Sequence, residues 1–209
     1  GGSRNVNEIG GIGNDTIVGN TGNDHYFIDA AGDVVSEGVA ANQGIDTIYS
    51  TATSYTLADN VGIEYIVLQD GAQDFHGNNV AQNLAGNAAD NTMSGGAGND
   101  LLNGNGGADT LSGGVGNDIL IGGAGDTLRG NADNDTYYIE DSSVVVEEVD
   151  GEGIDQINQN TATYVMTAYV ENGTMLAPAV SLTGNDMANS LIGNSGANTI
   201  DGGDGNDKI

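Results

Sequence analysis

The stretch from Gly95 to Ile121 reads GGAGNDLLN, GNGGADTLS, GGVGNDILI, three consecutive units of nine residues. In each unit glycines precede an Asp, and an apolar side chain follows two residues after that Asp. The same phase recurs as GGIGNDTIV from Gly10, GNTGNDHYF from Gly19 and GGDGNDKI from Gly202. A repeat this short indicates a solenoid of stacked coils rather than a single globular core.

The positions within the unit predict its geometry. Because alternate side chains of a β-strand point to opposite faces, the apolar residue at position eight should point inward. The six residues GGxGxD before the strand should reverse the chain, since glycine permits approaches that a β-carbon excludes. Two units then make one flattened coil. Asp100 and Asp118 should therefore stack on one edge, and Asp109 and Asp126 on the other.

The acidic residues are mostly of the short kind. The 209-residue chain has 30 acidic and three basic residues and a net charge of -27, and 22 of the acidic residues are Asp. Short carboxylates among Gly and Asn favour ligation in turns over a solvated surface. The field of such a chain would repel nucleic acid and anionic membranes, so we expect no nucleic-acid partner and no membrane insertion.

The turn chemistry favours calcium. Calcium accepts six to eight oxygen ligands in flexible geometry, whereas magnesium demands a stricter octahedron. Zinc or copper would require His or Cys; the chain has no Cys, and its two histidines, His25 and His76, are isolated and expected at the surface. Leu, Ile, Val and Phe make up only 45 residues, so something besides apolar burial, such as calcium, must help the chain fold.

The chain consists of two related blocks, residues 1–94 and residues 95–209. NDHYFIDAAGDVVSEG from Asn23 corresponds to NDTYYIEDSSVVVEEV from Asn134. Each block runs from nonapeptides into a strand-rich spacer, over roughly 25–70 and 136–183, and then into degenerate repeats. The spacers contain alternating and β-branched runs and no helical pattern. We expect one continuous solenoid with longer turns in the spacers; a pair of small β-sandwich-like inserts is the alternative.

The nonapeptides differ in quality. GGAGDTLR from Gly122 is one residue short, and in GNADNDTYY from Gly130 an Asp replaces the second turn glycine. In the degenerate repeats an amide stands in place of the Asp, at Gln82, Asn91, Asn189 and Asn198. Since an amide oxygen is a poorer calcium ligand than a carboxylate, we expect these turns to be held by hydrogen bonds with little or no metal.

Residues 10–27, 95–138 and 202–209 resemble the RTX, or haemolysin-type, calcium-binding repeat proteins, whose pattern is GGxGxDx(apolar)x. The resemblance implies an all-β parallel β-roll, or β-solenoid, with Ca²⁺ held between successive turns on the same edge and folding triggered by extracellular calcium after export. The strand-rich segments resemble the spacer of large RTX adhesins and enzymes at Tyr137 and at residues 170–172, while the first block departs from it at residues 62–65.

The resemblance also implies a ligand set. Carried over position by position, it assigns calcium to side chains and to turn carbonyls. The side chains are Asp15, Asp24, Asp100, Asp109, Asp118, Asp126, Asp135 and Asp207, with Asp46 and Asp155 as further candidates from the related GIDTI and GIDQI segments. The carbonyls lie near Gly10, Gly13, Gly95, Gly98, Gly113, Gly116, Gly122 and Gly125.

The leading hypothesis for function is a noncatalytic, calcium-stabilised, extracellular structural solenoid, part of a larger secreted or cell-surface protein exported by the bacterial type I route. No signal peptide or long apolar run is recognised in the segment. Gly1 is already in phase with Gly10, and Ile209 falls at position eight of a repeat. Open, in-phase ends also fit copies of the chain stacked head to tail in a filament.

Two other classes of function stay open. One is an accessory targeting module of an RTX enzyme, such as a protease, lipase or alginate epimerase; the other is a polysaccharide-binding adhesin segment. Catalysis within the chain is not expected, because neither HExxH nor GxSxG occurs and the adjacent Glu147 and Glu148 would point to opposite faces of a strand. Ice binding is disfavoured, since the Thr cluster at residues 47–56 does not repeat at the coil period.

Overall fold

A computed structural model describes residues 7–39 and 44–209 of the chain. These ranges contain twenty-two short strands and no helix. Numbered in chain order, the strands are β1 (Asn7–Ile9), β2 (Thr16–Val18), β3 (His25–Ile28), β4 (Val34–Ser36), β5 (Thr47–Ser50), β6 (Ser54–Thr56), β7 (Tyr65–Leu68), β8 (Asp74–His76), β9 (Asn83–Ala85), β10 (Thr92–Ala97), β11 (Leu101–Asn103), β12 (Thr110–Val115), β13 (Ile119–Gly122), β14 (Thr127–Ala132), β15 (Thr136–Ile139), β16 (Val145–Val146), β17 (Gln156–Gln159), β18 (Thr163–Val165), β19 (Asn172–Met175), β20 (Ser181–Thr183), β21 (Ser190–Ile192) and β22 (Thr199–Asp201).

The strands alternate between two faces of a flattened solenoid. All odd-numbered strands, β1 to β21, form one eleven-stranded sheet in chain order. The even-numbered strands form the opposite face as a six-stranded sheet from β6 to β16, a three-stranded sheet from β18 to β22, and the pair β2 and β4. Every pairing between the named strands is parallel, as in β11 with β13 and β10 with β12. The predicted all-β parallel β-roll is confirmed.

The period of the sequence sets the register of the sheets. Leu101 pairs with Ile119 and Thr92 with Thr110, so each coil advances by eighteen residues, or two nonapeptides. The missing residue in the short repeat shifts the next pairing, so that Ile119 pairs with Thr136. Each coil therefore consists of an odd strand, a turn, an even strand and a second turn, and it contacts mainly the coils before and after it.

A thin apolar core fills the space between the two faces. The residue at position eight points inward in the three units from Gly95 to Ile121, as predicted, where Leu102, Leu111 and Leu120 are completely buried, whereas Ile209, at the same position of the last repeat, is 72 % exposed. Larger interior side chains fill the equivalent places in the spacers, including Tyr26, Phe75 and Tyr137. Most strands have only one or two buried side chains, as in the intermediate, buried, intermediate pattern of β11. Burial of each large apolar side chain contributes about 1.5–3 kcal/mol to stability. Because each strand buries so few of them, the turns must contribute to stability as well.

The spacers continue the solenoid. In the first block His25 pairs with Thr47, and Thr47 pairs with Tyr65, in parallel register. In the second block Thr136 pairs with Gln156. The coils here differ from the eighteen-residue period because the turns between strands vary in length, as expected for a continuous solenoid with longer turns. The alternative of β-sandwich-like inserts is wrong, since a sandwich would require separate antiparallel sheets.

The eleven-stranded sheet crosses from the first block into the second through the pairing of β9 with β11. The in-phase position of Gly1 lies outside the described residues. In the described part of the chain, no helix has the length and hydropathy needed to span a membrane.

Candidate metal centres

The strong nonapeptides place a carboxylate over the first glycine of the same unit. A β-carbon added to Gly95 would lie 2.2 Å from Oδ2 of Asp100, and one added to Gly113 would lie 2.2 Å from Oδ2 of Asp118. Any other residue at this position would compete with the carboxylate for the same volume. The turn also needs a left-handed residue at position four, where Gly116 has a φ of 124°.

Acidic side chains form a column on the edge that leads into the odd strands. We call it the long ladder. In this column the backbone N–H of one member donates to a carboxylate oxygen of the member one coil later, as Asp100 does to Oδ1 of Asp118 at 2.8 Å. The same link joins Asp24 to Asp46, Asp46 to Glu64, Gln82 to Asp100, Asp118 to Asp135, Asp135 to Asp155, Asp155 to Glu171 and Asn189 to Asp207, at 2.7–2.9 Å.

The opposite edge has the same arrangement over fewer coils. Here the N–H of Asn91 donates to Oδ1 of Asp109 at 2.7 Å, and the N–H of Asp109 donates to Oδ1 of Asp126 at 2.8 Å. Near the start of the chain the N–H of Asp15 donates to Oδ1 of Asp33 at 3.0 Å. Asp100 with Asp118, and Asp109 with Asp126, thus stack on separate edges as expected from the repeat.

One oxygen of many of these carboxylates is left over. The Oδ2 atoms of Asp15, Asp46, Asp100, Asp109, Asp118 and Asp135 are buried and accept no hydrogen bond from the protein. Five of these six side chains are at most 2 % exposed, and Asp15 is half-buried. Buried polar atoms are normally paired, and a buried charge requires a partner of opposite sign. The orphaned oxygens therefore fit the donor set of a hard cation.

Burial also changes the proton affinity of the ladder. It raises the pKa of Asp100 to about 7; the N–H of Gln82 opposes this change, and the charge of Asp118 adds to it. The pKa values of Asp109 and Asp118 are raised to about 6, again chiefly by burial. In water these carboxyl groups strongly prefer the charged form at neutral pH, and burial weakens that preference. A bound cation would restore the charged form.

The short repeat departs from this pattern. Oδ2 of Asp126 accepts the N–H of Gly123 at 2.7 Å, so both oxygens of this carboxylate have protein partners. A β-carbon on Gly122 would meet Leu128 and Val144 instead of a carboxylate. Because the turn is one residue shorter, the carboxylate of Asp126 binds the N–H of Gly123 in its own turn. Of the first-position glycines named for their carbonyls, Gly122 is the one that does not lie under an acidic side chain of its own unit in this way.

The remaining predicted positions follow the strong pattern more closely. The carboxylate of Asp15 lies over Gly10, and that of Asp207 lies over Gly202. Gly13, Gly98 and Gly125 have left-handed φ values at the turns before their Asp residues. Asp46 and Asp155, taken from the spacer segments, are full members of the long ladder.

Amide side chains hold the degenerate repeats together. The Nδ2 group of Asn78 donates to the carbonyls of Ala58 and Val61 in the preceding coil, at 2.8 and 2.9 Å. Asn87, Asn185 and Asn194 make the same pair of bonds in their own turns. The amide at the Asp position contributes as well, since Nε2 of Gln82 donates to the carbonyl of Ile63. The expected side-chain hydrogen bonds are present, and they satisfy turn carbonyls without a cation.

Four acidic residues of the ladders and spacers escaped the sequence reasoning. Glu64 and Glu171 occupy ladder positions where the repeat pattern has Asp. Glu37 and Glu148 join two three-carboxylate clusters, Asp24 with Glu37 and Asp46, and Asp135 with Glu148 and Asp155. The alignment of VVSEG with VVEEV between the two blocks contained the signal for the last pair. A template restricted to Asp excluded all four.

The fold and its edges define the chain as a parallel β-solenoid with buried acidic ladders. A comparison with protein families matches the RTX calcium-binding nonapeptide repeat at residues 9–34, 76–111, 85–120, 112–138 and 183–209, together more than half of the chain. The chain belongs to this family, whose members bind calcium. Neither a curated protein nor a solved structure matches it in the two other comparisons.

Proposed function

We propose that this chain is a noncatalytic structural segment of a secreted or cell-surface protein, folded and held rigid by calcium ions along both edges of the solenoid. The side-chain ligands would be the Asp residues at position six of the nonapeptides, which are Asp15, Asp24, Asp100, Asp109, Asp118, Asp126, Asp135 and Asp207. Asp46 and Asp155 would extend the set into the spacers. Calcium would supply positive charge and bridge oxygens of successive turns.

One observation supports this proposal above the others. Along both edges, a carboxylate accepts the N–H of the preceding coil with one oxygen, while its second oxygen is buried without a hydrogen bond, as in Asp118 on one edge and Asp109 on the other. The described part of the chain contains only two basic side chains, Arg129 and Lys208, and Arg129 pairs with Glu147. The described residues therefore offer few cations to neutralise these carboxylates. A cation that binds the folded form but not the unfolded form would drive folding.

A calcium titration of metal-stripped protein tests the proposal. We expect the far-ultraviolet circular dichroism spectrum to change from coil to β-structure as calcium is added, because the metal-free chain must bury unneutralised carboxylates. Magnesium at the same concentration should be much less effective, since it binds flexible oxygen-rich turns poorly. A β spectrum that stays unchanged in excess chelator would contradict the proposal.

The calcium requirement supports an extracellular location. Extracellular calcium modules typically have dissociation constants of about 10⁻⁴ to 10⁻³ M. With an affinity in that range, the chain would remain unfolded in a low-calcium cytosol, pass through an export channel unfolded, and fold outside. The midpoint of the same titration measures this directly, and a submicromolar midpoint would argue against it.

Polysaccharide binding is a second candidate, favoured by an aromatic patch on the outer face of the odd-numbered sheet. The rings of Phe27 and Tyr49 stack with centroids 5.3 Å apart, and His25 meets Tyr49 edge to face. Tyr65 lies on the same face, one coil further along, and is 43 % exposed. Flat aromatic surfaces can bind sugar rings through their apolar faces. Binding to alginate and other acidic or neutral polysaccharides should then be lost in Tyr49→Ala and kept in Tyr138→Ala, which changes an aromatic residue of the same sheet in the other block, at the position equivalent to Phe27.

A further inference from the structure

The two three-carboxylate clusters are equivalent features of the two blocks. In the second block, the carboxylate oxygens of Asp135, Glu148 and Asp155 lie within 4.8 Å of one another. In the first block, Asp24, Glu37 and Asp46 form the same group. All six side chains are at least nine-tenths buried. Each cluster contains two neighbouring members of the long ladder and one Glu that follows an even strand.

The sheet register explains how the Glu enters the cluster. Leu128 pairs with Val146, which places Gly130 level with Glu148 in neighbouring coils. Gly130 is the first residue of a nonapeptide, so Glu148 occupies a position that is glycine in the coils before it. In an ordinary unit the first glycine lies only five residues before its Asp. From Glu148 to Asp155 the chain has a longer turn, which leaves room for a side chain.

The clusters are buried, and within the described residues no cationic side chain forms an ion pair with the second one. Oε2 of Glu148 and Oδ2 of Asp135 are buried and accept no hydrogen bond, and the same is true of Oδ2 of Asp46 in the first cluster. The adjacent Glu147 points outward and pairs with Arg129 at 2.5 Å. The two consecutive glutamates thus have opposite surroundings, and only the outer one has a cationic partner.

A tyrosine orients the Glu in each cluster. The hydroxyl of Tyr137 donates to Oε1 of Glu148, which also accepts the N–H of Gly130 at 3.3 Å. The hydroxyl of Tyr26 donates to Oε2 of Glu37 in the same way. The second oxygen of Glu148 has no hydrogen bond, whereas that of Glu37 accepts the N–H of Gly38 at 2.9 Å. Because hydrogen bonds hold the Glu carboxylate in place, it resembles a preorganised metal ligand.

We propose that each three-carboxylate cluster is a calcium site of a separate kind, in which Glu37 or Glu148 is a ligand alongside two Asp residues of the long ladder. The proposal extends the calcium-binding function proposed above, but it depends on two residues outside the nonapeptide pattern. Three carboxylates supply more negative charge than the one Asp per turn of an ordinary unit, so these sites should bind calcium more tightly. They would fasten the long spacer turns to the regular coils.

The test compares calcium stoichiometry in the full-length chain and in matched glutamine variants. Metal-stripped wild type, Glu37→Gln, Glu148→Gln and the double variant are dialysed against calcium, and bound metal is counted by mass spectrometry. Each single variant should lose one ion per chain, and the double variant two, because there are two clusters. Glu147→Gln is the matched control: it is next in sequence and isosteric with Glu148→Gln, but exposed, and it should lose none.

The outcomes separate this proposal from the function proposed above. A wild-type chain that binds no calcium overturns both. Normal calcium uptake that is unchanged in a folded Glu37→Gln/Glu148→Gln variant overturns the three-carboxylate sites alone and indicates that protons neutralise them.

Terbium luminescence provides a second measurement if the glutamine variants fail to fold. Terbium replaces calcium and emits when a nearby excited tyrosine transfers energy to it. In the wild type, Tyr26 and Tyr137 should be the main sensitisers. The variant Tyr26→Phe/Tyr137→Phe should lose most of the emission per bound terbium ion, with the bound terbium counted in the same samples. Full emission from this variant would overturn the proposed placement of the ion.

Discussion

The two carboxylate oxygens of Asp118 have different surroundings. Oδ1 accepts the N–H of Asp100 and so sets the spacing of two coils. Oδ2 is buried over Gly113 without a protein partner. An Asn at this position could keep the first contact but would lack the charge that a calcium ion requires. Asp118 therefore permits the structural and ligand contributions of a ladder residue to be separated.

We expect Asp118→Asn to weaken calcium binding at its turn by at least about tenfold, because ligand charge largely sets calcium affinity in oxygen-rich loops. In the absence of metal, the same variant should be at least as stable as the wild type, since it removes a buried charge. Isothermal titration calorimetry would measure the first effect, and the residual β-structure of the metal-free proteins by circular dichroism would measure the second.

Asp70→Asn is the control for that variant. Asp70 is exposed, and its replacement changes the net charge by the same amount. Equal losses of calcium affinity in the two variants would show that Asp118 acts only through the overall charge of the protein.

At the scale of the turn, the solenoid uses two ways to join successive coils. Strong nonapeptides present carboxylates and glycines, whereas degenerate repeats present amides that donate to carbonyls of the preceding turn. The amide turns need no ion, because their hydrogen bonds are between neutral groups. They flank the acidic coils in both blocks, and their contribution to stability should not depend on calcium.

Asn78→Ala should destabilise the protein by about 1–3 kcal/mol, because it leaves two turn carbonyls in the preceding coil without their donors. The loss should be similar with and without calcium, in contrast to the metal-dependent effect of Asp118→Asn. Urea unfolding would measure it at saturating calcium and in metal-stripped protein at about pH 5, where protons neutralise the buried carboxylates.

Asn79→Ala provides the comparison for the amide turn. Asn79 is the next residue, is exposed, and bonds only to Asn60 within the described structure. An equal loss in the two alanine variants, or a loss at Asn78 that appears only with calcium, would contradict this view of the amide turns.

The repeat period made the fold predictable, but only where the turns have constant length. From Gly95 to Ile121 the nine-residue spacing correctly predicted the inward side chain, the two edges and the stacking partners. In the spacers the varied turn lengths hide the same period, so that a β-sandwich remained an alternative. Glu37 and Glu148 could not be assigned from local sequence, because their role depends on register with a glycine in the previous coil and on a tyrosine eleven residues away.

At the scale of the whole molecule, the carboxylates couple stability to pH. Burial raises the pKa values of Asp46, Asp100 and Asp135 to about 7, that of Asp155 to about 6 and that of Glu148 to about 8. In the unfolded chain these groups return to the ordinary values near 4. The folded, metal-free protein therefore binds more protons than the unfolded chain between about pH 4 and pH 8.

Metal-free protein should accordingly be more stable at pH 5 than at pH 8. Raised pKa values contribute stability that is complete below the unfolded pKa and is lost as the pH rises through the folded pKa. The slope should be about 1.4 kcal/mol per pH unit for each additional proton bound by the folded form. Circular dichroism of metal-stripped protein at several pH values should show β-structure increasing as the pH falls, and thermal unfolding at the pH values where the chain is folded would measure this slope.

Saturating calcium should reverse the sign, because protons compete with the ion for the same carboxylates. If the metal-free protein instead became more stable from pH 5 to pH 8, the buried carboxylates would not dominate its titration.

The eighteen-residue register also has a genetic consequence. Insertion or deletion of a whole coil within the regular region, such as residues 95–112, returns each following strand to its own sheet and each Asp to its own edge. Loss of a single nonapeptide would exchange the odd and even faces for the rest of the chain. It would also continue the long ladder into the carboxylate column of the opposite edge. Unequal recombination between such genes is therefore constrained to even numbers of repeats, and a lineage can alter the length of this rod only in whole coils.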